Sequence, residues 1–240
     1  MAPEPVPPSR SLAWLRAGTD HLSAHVAKIP EDRFDGLIAL PGWTAAHLLT
    51  HLARNADALG NLVEWATTGV ETPMYPGGPA QRAADIESGV RREPRAILAD
   101  FADSAVRLSA RLDALPDEAW ARTVRTAQGD AMPAAVIPWL RVREVWIHAI
   151  DLNTGATFAD LPGDLATTLL DDVVSRLAAH PDCPALILRP GTGTALVTRP
   201  DVADAAEAAG TTAALLGWLT GRTTGADLGP DPLPDLPAWL

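Results

Sequence analysis

Over the first 150 residues the apolar positions recur at three and four, the period of a helix with one buried face. From Ser11, the residues Leu12, Leu15, Thr19, Leu22 and Val26 keep that spacing until Pro30 stops it. Residues 31–42 carry Gly and Pro and read as a loop. Thr44 is the expected N-cap of a second helix, whose apolar face is Leu48, Leu49, Leu52, Leu59, Leu62 and Val63, running to about Thr68. The stretch 69–80, GVETPMYPGGPA, holds three prolines and three glycines and breaks every period. A further helix can start near Gln81, in a region interrupted by Gly89 and Pro94. Residues 94–114 predict a clear helix through Ile97, Leu98, Phe101, Val106, Leu108 and Leu112, ended by Pro116. Met132-Pro133 leads into the last long helix, 134–151. Four principal helices joined by polar loops predict an antiparallel bundle.

The second half follows another pattern. Residues 163–179 are helical in period. ALILR (185–189) and TALVTR (194–199) are short β-like runs around PGTG, a hairpin signal. Residues 211–221 predict another helix, and 225–240 form a Pro-rich tail. The expected fold class is therefore α+β: a helical domain over 11–155 and a small mixed domain over 156–240, with the boundary near 153–162. The opening MAPEPVPPSR (1–10) reads as a disordered arm.

Composition narrows the chemistry. The chain has 240 residues, 47% hydrophobic and 20% charged, an ordinary globular balance with ample material for a core. Its net charge is −11, and Lys28 is the only lysine among 19 basic residues. So acidic a chain disfavours nucleic-acid backbones and anionic membrane surfaces. Single arginines remain available to a small acidic ligand. The one cysteine, Cys183 in HPDCPA, excludes an intrachain disulfide and lacks the basic surroundings that activate a thiol. The N-terminus has no apolar core of a signal peptide, and no apolar run approaches the roughly 20 residues that span a bilayer. A cytoplasmic protein is expected.

Residues 143–152, REVWIHAIDL, set Glu144 and His148 four apart with Asp151 three later, all near one helix face. Charged groups on an apolar stretch are costly unless paired or bound to a metal. His47 and His51 share the same spacing on the second helix, as do His21 and His25 on the first. HLLTH lacks the glutamate of a zincin motif. One histidine of the second helix with Glu144 and His148 would give three N/O ligands and an open position, the arrangement of a catalytic zinc and one that also suits Fe(II). Spacing does not choose between His47 and His51. Arg82, after PMYPGGPAQ, and Arg222, after WLTG, suit fork-like recognition of carboxylates. Trp43, Trp65, Trp139 and Trp146 are expected in the core or as cleft walls. Asp151 suits the orientation of a ligand histidine or a pair with an arginine. GTGT (191–194) has no following helix that would hold phosphate.

Taken in order, PGWTAAHLLTHLARNADALGNLVEWATTG, ETPMY, REVWIHAIDL, a C-terminal GR and a final Pro-x-Trp-Leu resemble the mycothiol-dependent maleylpyruvate isomerase family. The resemblance covers roughly residues 12–240 and is strongest in 41–82 and 138–152. It implies a DinB-like four-helix bundle followed by a small α/β domain. It implies a zinc ion held by the second histidine of H-x-x-x-H and by the Glu and His of R-E-V-W-I-H, here His51, Glu144 and His148. It also points to Asp151, Arg82 and Arg222 as catalytic residues, with Arg222 toward the thiol cofactor. The loop after Tyr75, PGGPAQR, departs from the family pattern in length. The implied activity is a zinc- and mycothiol-dependent cis–trans isomerisation of maleylpyruvate to fumarylpyruvate by thiolate addition, rotation and elimination. Mycothiol S-transfer or isomerisation of another electrophile, and a non-catalytic metal- or thiol-binding module, are the alternatives. The expected partners are a small dicarboxylate and a low-molecular-weight thiol.

Overall fold

The first helix, α1 (Pro8–Val26), starts inside the stretch expected to be a disordered arm. Proline is suited to the opening turn, because its missing N–H would have no helical partner there. The computed structural model describes residues 6–229 and 232–239. The rest of the expected arm, residues 1–5, lies outside the described residues, as does the final Leu240. The chain forms two compact units that meet in sequence between Ala156 and Thr157.

In the first unit, α2 (Ala45–Thr68) is framed as its sequence predicts. Thr44 accepts the His47 N–H, and Gly69 ends the helix at φ 76°, where a left-handed residue is needed. α3 (Gly78–Gly89), α4 (Pro94–Asp113) and α5 (Ile137–Asp151) complete the helical unit. α2 packs on α4, α3 and α5, and α1 packs on α5. Leu48, Leu49, Leu52, Leu59, Leu62, Ile97 and Leu112 are buried between them. Before α5 the chain makes a small antiparallel hairpin, β1 (Thr123–Arg125) with β2 (Ala131–Pro133). Strands of three residues carry too little alternation to be read from sequence.

Two glycines set helix spacing. A Cβ at Gly18 of α1 would collide with Trp146 and Val145 of α5. A Cβ at Gly89 of α3 would collide with Thr50, next to His51 on α2. The first lets α1 lie directly on α5, and the second brings α3 down on α2.

The second unit holds α6 (Gly163–Ala179), α7 (Thr212–Leu219) and a three-stranded sheet. The expected hairpin is present: β3 (Leu186–Pro190) pairs antiparallel with β4 (Leu196–Val197). A third strand, β5 (Ala206–Gly210), pairs in parallel on the other side of β3. Its AEAAG sequence has low strand propensity, so tertiary pairing decides its conformation. The fold class is α+β. Among the described residues, no helix is long and apolar enough to cross a membrane.

Candidate metal centre

α2 and α5 together carry the cluster. The Thr44 cap fixes the start of α2 and uses His47, whose Nδ1 accepts the Thr44 N–H at 3.2 Å. One turn on, His51 faces α5. Of the two histidines, His47 serves the cap and His51 joins the cluster. His21 and His25 stay on α1, where His21 stacks on Trp146 and His25 Nδ1 meets Thr154 Oγ1 at 2.9 Å.

On α5, Arg141, Glu144, His148 and Asp151 follow one another at three and four and so share a face. Glu144 Oε2 lies 3.0 Å from His51 Nε2 and 3.2 Å from His148 Nε2. One ligand atom from each of the three residues falls within 4.8 Å of the others. The His51 side chain is 7% exposed, that of Glu144 22% and that of His148 16%, so the cluster is enclosed but reachable. Asp151 sits behind it, 1% exposed, with Oδ2 2.8 Å from His148 Nδ1. Its backbone carbonyl accepts the Ala39 N–H, tying the end of α5 to the 31–43 loop.

Arg82, on α3, reaches the opposite side of His51: its Nη2 lies 3.0 Å from Nδ1. Its guanidinium also lies over the Tyr75 ring at 5.6 Å. Asn61 of α2 holds that loop by donating to the Pro73 and Met74 carbonyls. Trp43 places its ring 5.5 Å from that of His51 and walls the cluster.

These partners assign the protons. Burial alone would raise the Glu144 carboxyl, but hydrogen bonds from His148 and His51 outweigh it and hold it well below the usual range. Burial works against a charged His148 too, yet Asp151 and Glu144 push it up to about 9. It is an imidazolium at neutral pH, donating through both nitrogens. His51 is pulled down, first by burial and then by the charges of His148 and Arg82, against the opposing pull of Glu144. A guanidinium can only donate and a carboxylate only accept. Neutral His51 therefore carries its proton on Nε2, toward Glu144, and offers its Nδ1 lone pair to Arg82.

The donor set suits zinc. Bonds of 2.0–2.2 Å in a tetrahedron put ligand atoms about 3.3–3.6 Å apart, close to the 3.0 and 3.2 Å that separate Glu144 from the two histidines. The ion would replace the two protons that point from His51 and His148 at Glu144. Asp151 already holds the far nitrogen of His148, the second-layer carboxylate that such histidines use. One adjustment is required: a metal on His51 Nε2 puts the proton on Nδ1, and Arg82 must then turn away.

The remaining predicted residue, Arg222, belongs to the second unit, in the turn after α7. Its Nη1 donates to the Thr220 carbonyl at 2.6 Å. Tyr75 and Arg141 were not singled out from sequence. Tyr75 is the only tyrosine of the chain, and Arg141 stands three before Glu144 on the same face. Those were the available signals.

Comparisons with known proteins agree with one another. The family model of the mycothiol maleylpyruvate isomerase N-terminal domain matches residues 15–153. A crystal structure of the mycothiol-dependent maleylpyruvate isomerase superposes with a TM-score of 0.90 at 32% identity, over 98% of each chain. A crystal structure of a histidine-to-alanine mutant of that isomerase gives the same values. Uncharacterized proteins of Mycobacterium tuberculosis, strains CDC 1551 / Oshkosh and ATCC 25618 / H37Rv, are 32% identical over 152 residues, 60% of this chain. The match spans 56% of the length of those curated relatives. Matched by the family model across its helical unit, and by a solved isomerase along nearly its whole length, the chain belongs to the mycothiol-dependent maleylpyruvate isomerase family.

Proposed function

We propose that this chain is a zinc- and mycothiol-dependent isomerase that converts maleylpyruvate to fumarylpyruvate. The observation that carries the reading is the convergence of His51, Glu144 and His148 in a chain of this family. Zinc and mycothiol, when bound, supply a thiolate at neutral pH for reversible addition to the cis double bond, rotation and elimination.

The chain's own residues do the rest. His51, Glu144 and His148 would hold the ion. Asp151 keeps His148 Nε2 aimed inward by accepting a hydrogen bond from Nδ1–H. Arg82, once released from His51, binds a substrate carboxylate by its fork. Burial raises the Tyr75 hydroxyl against the opposing influence of Arg82, so it stays a neutral donor beside that carboxylate. Arg222 is assigned to the thiol or the second carboxylate. Arg82 and Tyr75 are the donors that would meet negative charge on a substrate carbonyl conjugated with the double bond. The residues read as metal ligands lie in the helical domain, 11–155, and Arg222 lies in the 156–240 domain. A net charge of −11 supports a small-molecule partner over a nucleic acid, and we place the enzyme in the cytoplasm.

The test is reconstitution. Metal-stripped protein should leave maleylpyruvate unchanged; zinc and mycothiol together should restore conversion, with all the thiol recovered free. Consumption of the thiol into a stable adduct would instead make the protein an S-transferase. Zinc uptake with no reaction toward any unsaturated acid would leave a binding module.

A further inference from the structure

Arg141 is among the largest fully buried side chains of the protein, 2% exposed, one turn before Glu144 on α5. Taking a guanidinium out of water costs several kcal/mol unless strong partners replace the solvent. Its hydrogen-bond partners are neutral, and the Glu144 carboxylate acts on it through charge alone. Nη1 donates to the Leu52 carbonyl at 2.8 Å and to Asn55 Oδ1 at 2.7 Å, both on α2. Burial pulls its pKa down to about 10, so the group is still a cation at neutral pH. An apolar side chain of similar volume would fill this space at lower cost. The position of the bond is informative: Leu52 is the residue after His51, and Glu144 is one turn beyond Arg141. The link joins the two ligand-bearing helices beside the metal centre.

We propose that Arg141 is a positioning residue of the metal centre, whose Nη1, donating to two acceptors on α2, fixes the register of α2 against α5 that brings His51 to Glu144. This rests on the reading of His51, Glu144 and His148 as metal ligands. A cation next to the site repels a divalent ion, so on charge alone its removal would tighten metal binding. Register predicts the opposite sign, because an unpinned α2 no longer presents His51 at coordination distance. The sign of the change therefore separates the two effects.

The experiment compares wild type, Arg141→Met, Arg141→Lys and Asn55→Ala by zinc competition against a chromophoric chelator and by the visible spectrum of cobalt(II)-loaded protein. Arg141→Met should lose about 10–100-fold in zinc affinity, the usual effect of an outer-layer partner. Its cobalt spectrum should lose the intensity of a tetrahedral site while circular dichroism stays that of the folded protein. Arg141→Lys keeps the charge, but its shorter side chain brings the ammonium short of the place where Nη1 sits between the two acceptors, and it should lose affinity as well. Asn55→Ala should lose less. If Arg141→Met does not fold, Arg141→Met with Asn55→Leu removes donor and acceptor together and should fold with the same loss. Unchanged or tighter zinc binding with an unaltered cobalt spectrum, in any folded Arg141 variant, overturns the proposal. A wild type that takes up no metal overturns the parent reading and this one with it.

Discussion

At the scale of single residues, the contact between Arg82 and His51 makes a prediction opposite to intuition. Zinc on His51 Nε2 demands a proton on Nδ1, which the guanidinium cannot accept. Arg82 therefore stabilises the metal-free tautomer. Arg82→Gln replaces it with a side chain whose carbonyl can accept that proton. Zinc affinity should rise about tenfold, in the range that such outer partners command, while turnover falls through loss of a carboxylate donor. Long-range 1H–15N correlation of the His51 ring checks the cause: the proton should sit on Nε2 without metal and on Nδ1 with zinc. Finding it on Nδ1 in the metal-free protein would refute the argument. Sequence showed part of this site. Glu144 and His148 are visible because they fall four apart on one helix. The choice of His51 over His47 depends on which one faces α5, and helical period alone does not reveal that. Arg82 becomes a partner of His51 only through a loop and a close α2–α3 contact, neither of which has a periodic signature.

At the scale of elements, Gly18 lets α1 approach α5 more closely than any side chain would allow. Trp146 Nε1 donates to the Trp14 carbonyl at 3.0 Å across that contact. Gly18→Ala forces a methyl group against Trp146 and Val145 and should destabilise by about 1–3 kcal/mol, the usual cost of overpacking. Chemical denaturation measures it, and a change below about 0.5 kcal/mol, the scatter of ordinary surface substitutions, would contradict the contact. The long helices could be read in advance because each repeats its apolar face over many turns. The boundaries were less legible. α1 begins at Pro8 because proline is helix-compatible in the first turn, although a Pro-rich stretch reads as disordered. β5 is illegible in sequence because AEAAG has no alternation; its five residues are strand only by pairing with β3.

At the scale of the whole molecule, the centre couples stability to pH and metal. In the metal-free protein His148 is raised to about 9 from an ordinary 6.5, so its stabilising contribution is complete below 6.5 and is lost as pH climbs through 9. His51 and Glu144 are both lowered, so their share is lost on the acid side. Melting of chelator-treated protein should therefore fall steadily between pH 7 and about 9.5. Zinc needs His148 without its proton, so its stabilisation should grow over the same interval and flatten the curve. Parallel pH profiles with and without zinc would contradict that linkage. The central claim, a thiol-binding zinc on one carboxylate and two histidines, is tested most directly by X-ray absorption at the zinc edge before and after mycothiol is added. The expected first shell is nitrogen and oxygen near 2.0–2.2 Å, with one sulfur appearing at about 2.3 Å on addition of the thiol. A shell without two imidazoles, or one that never gains sulfur, would contradict it.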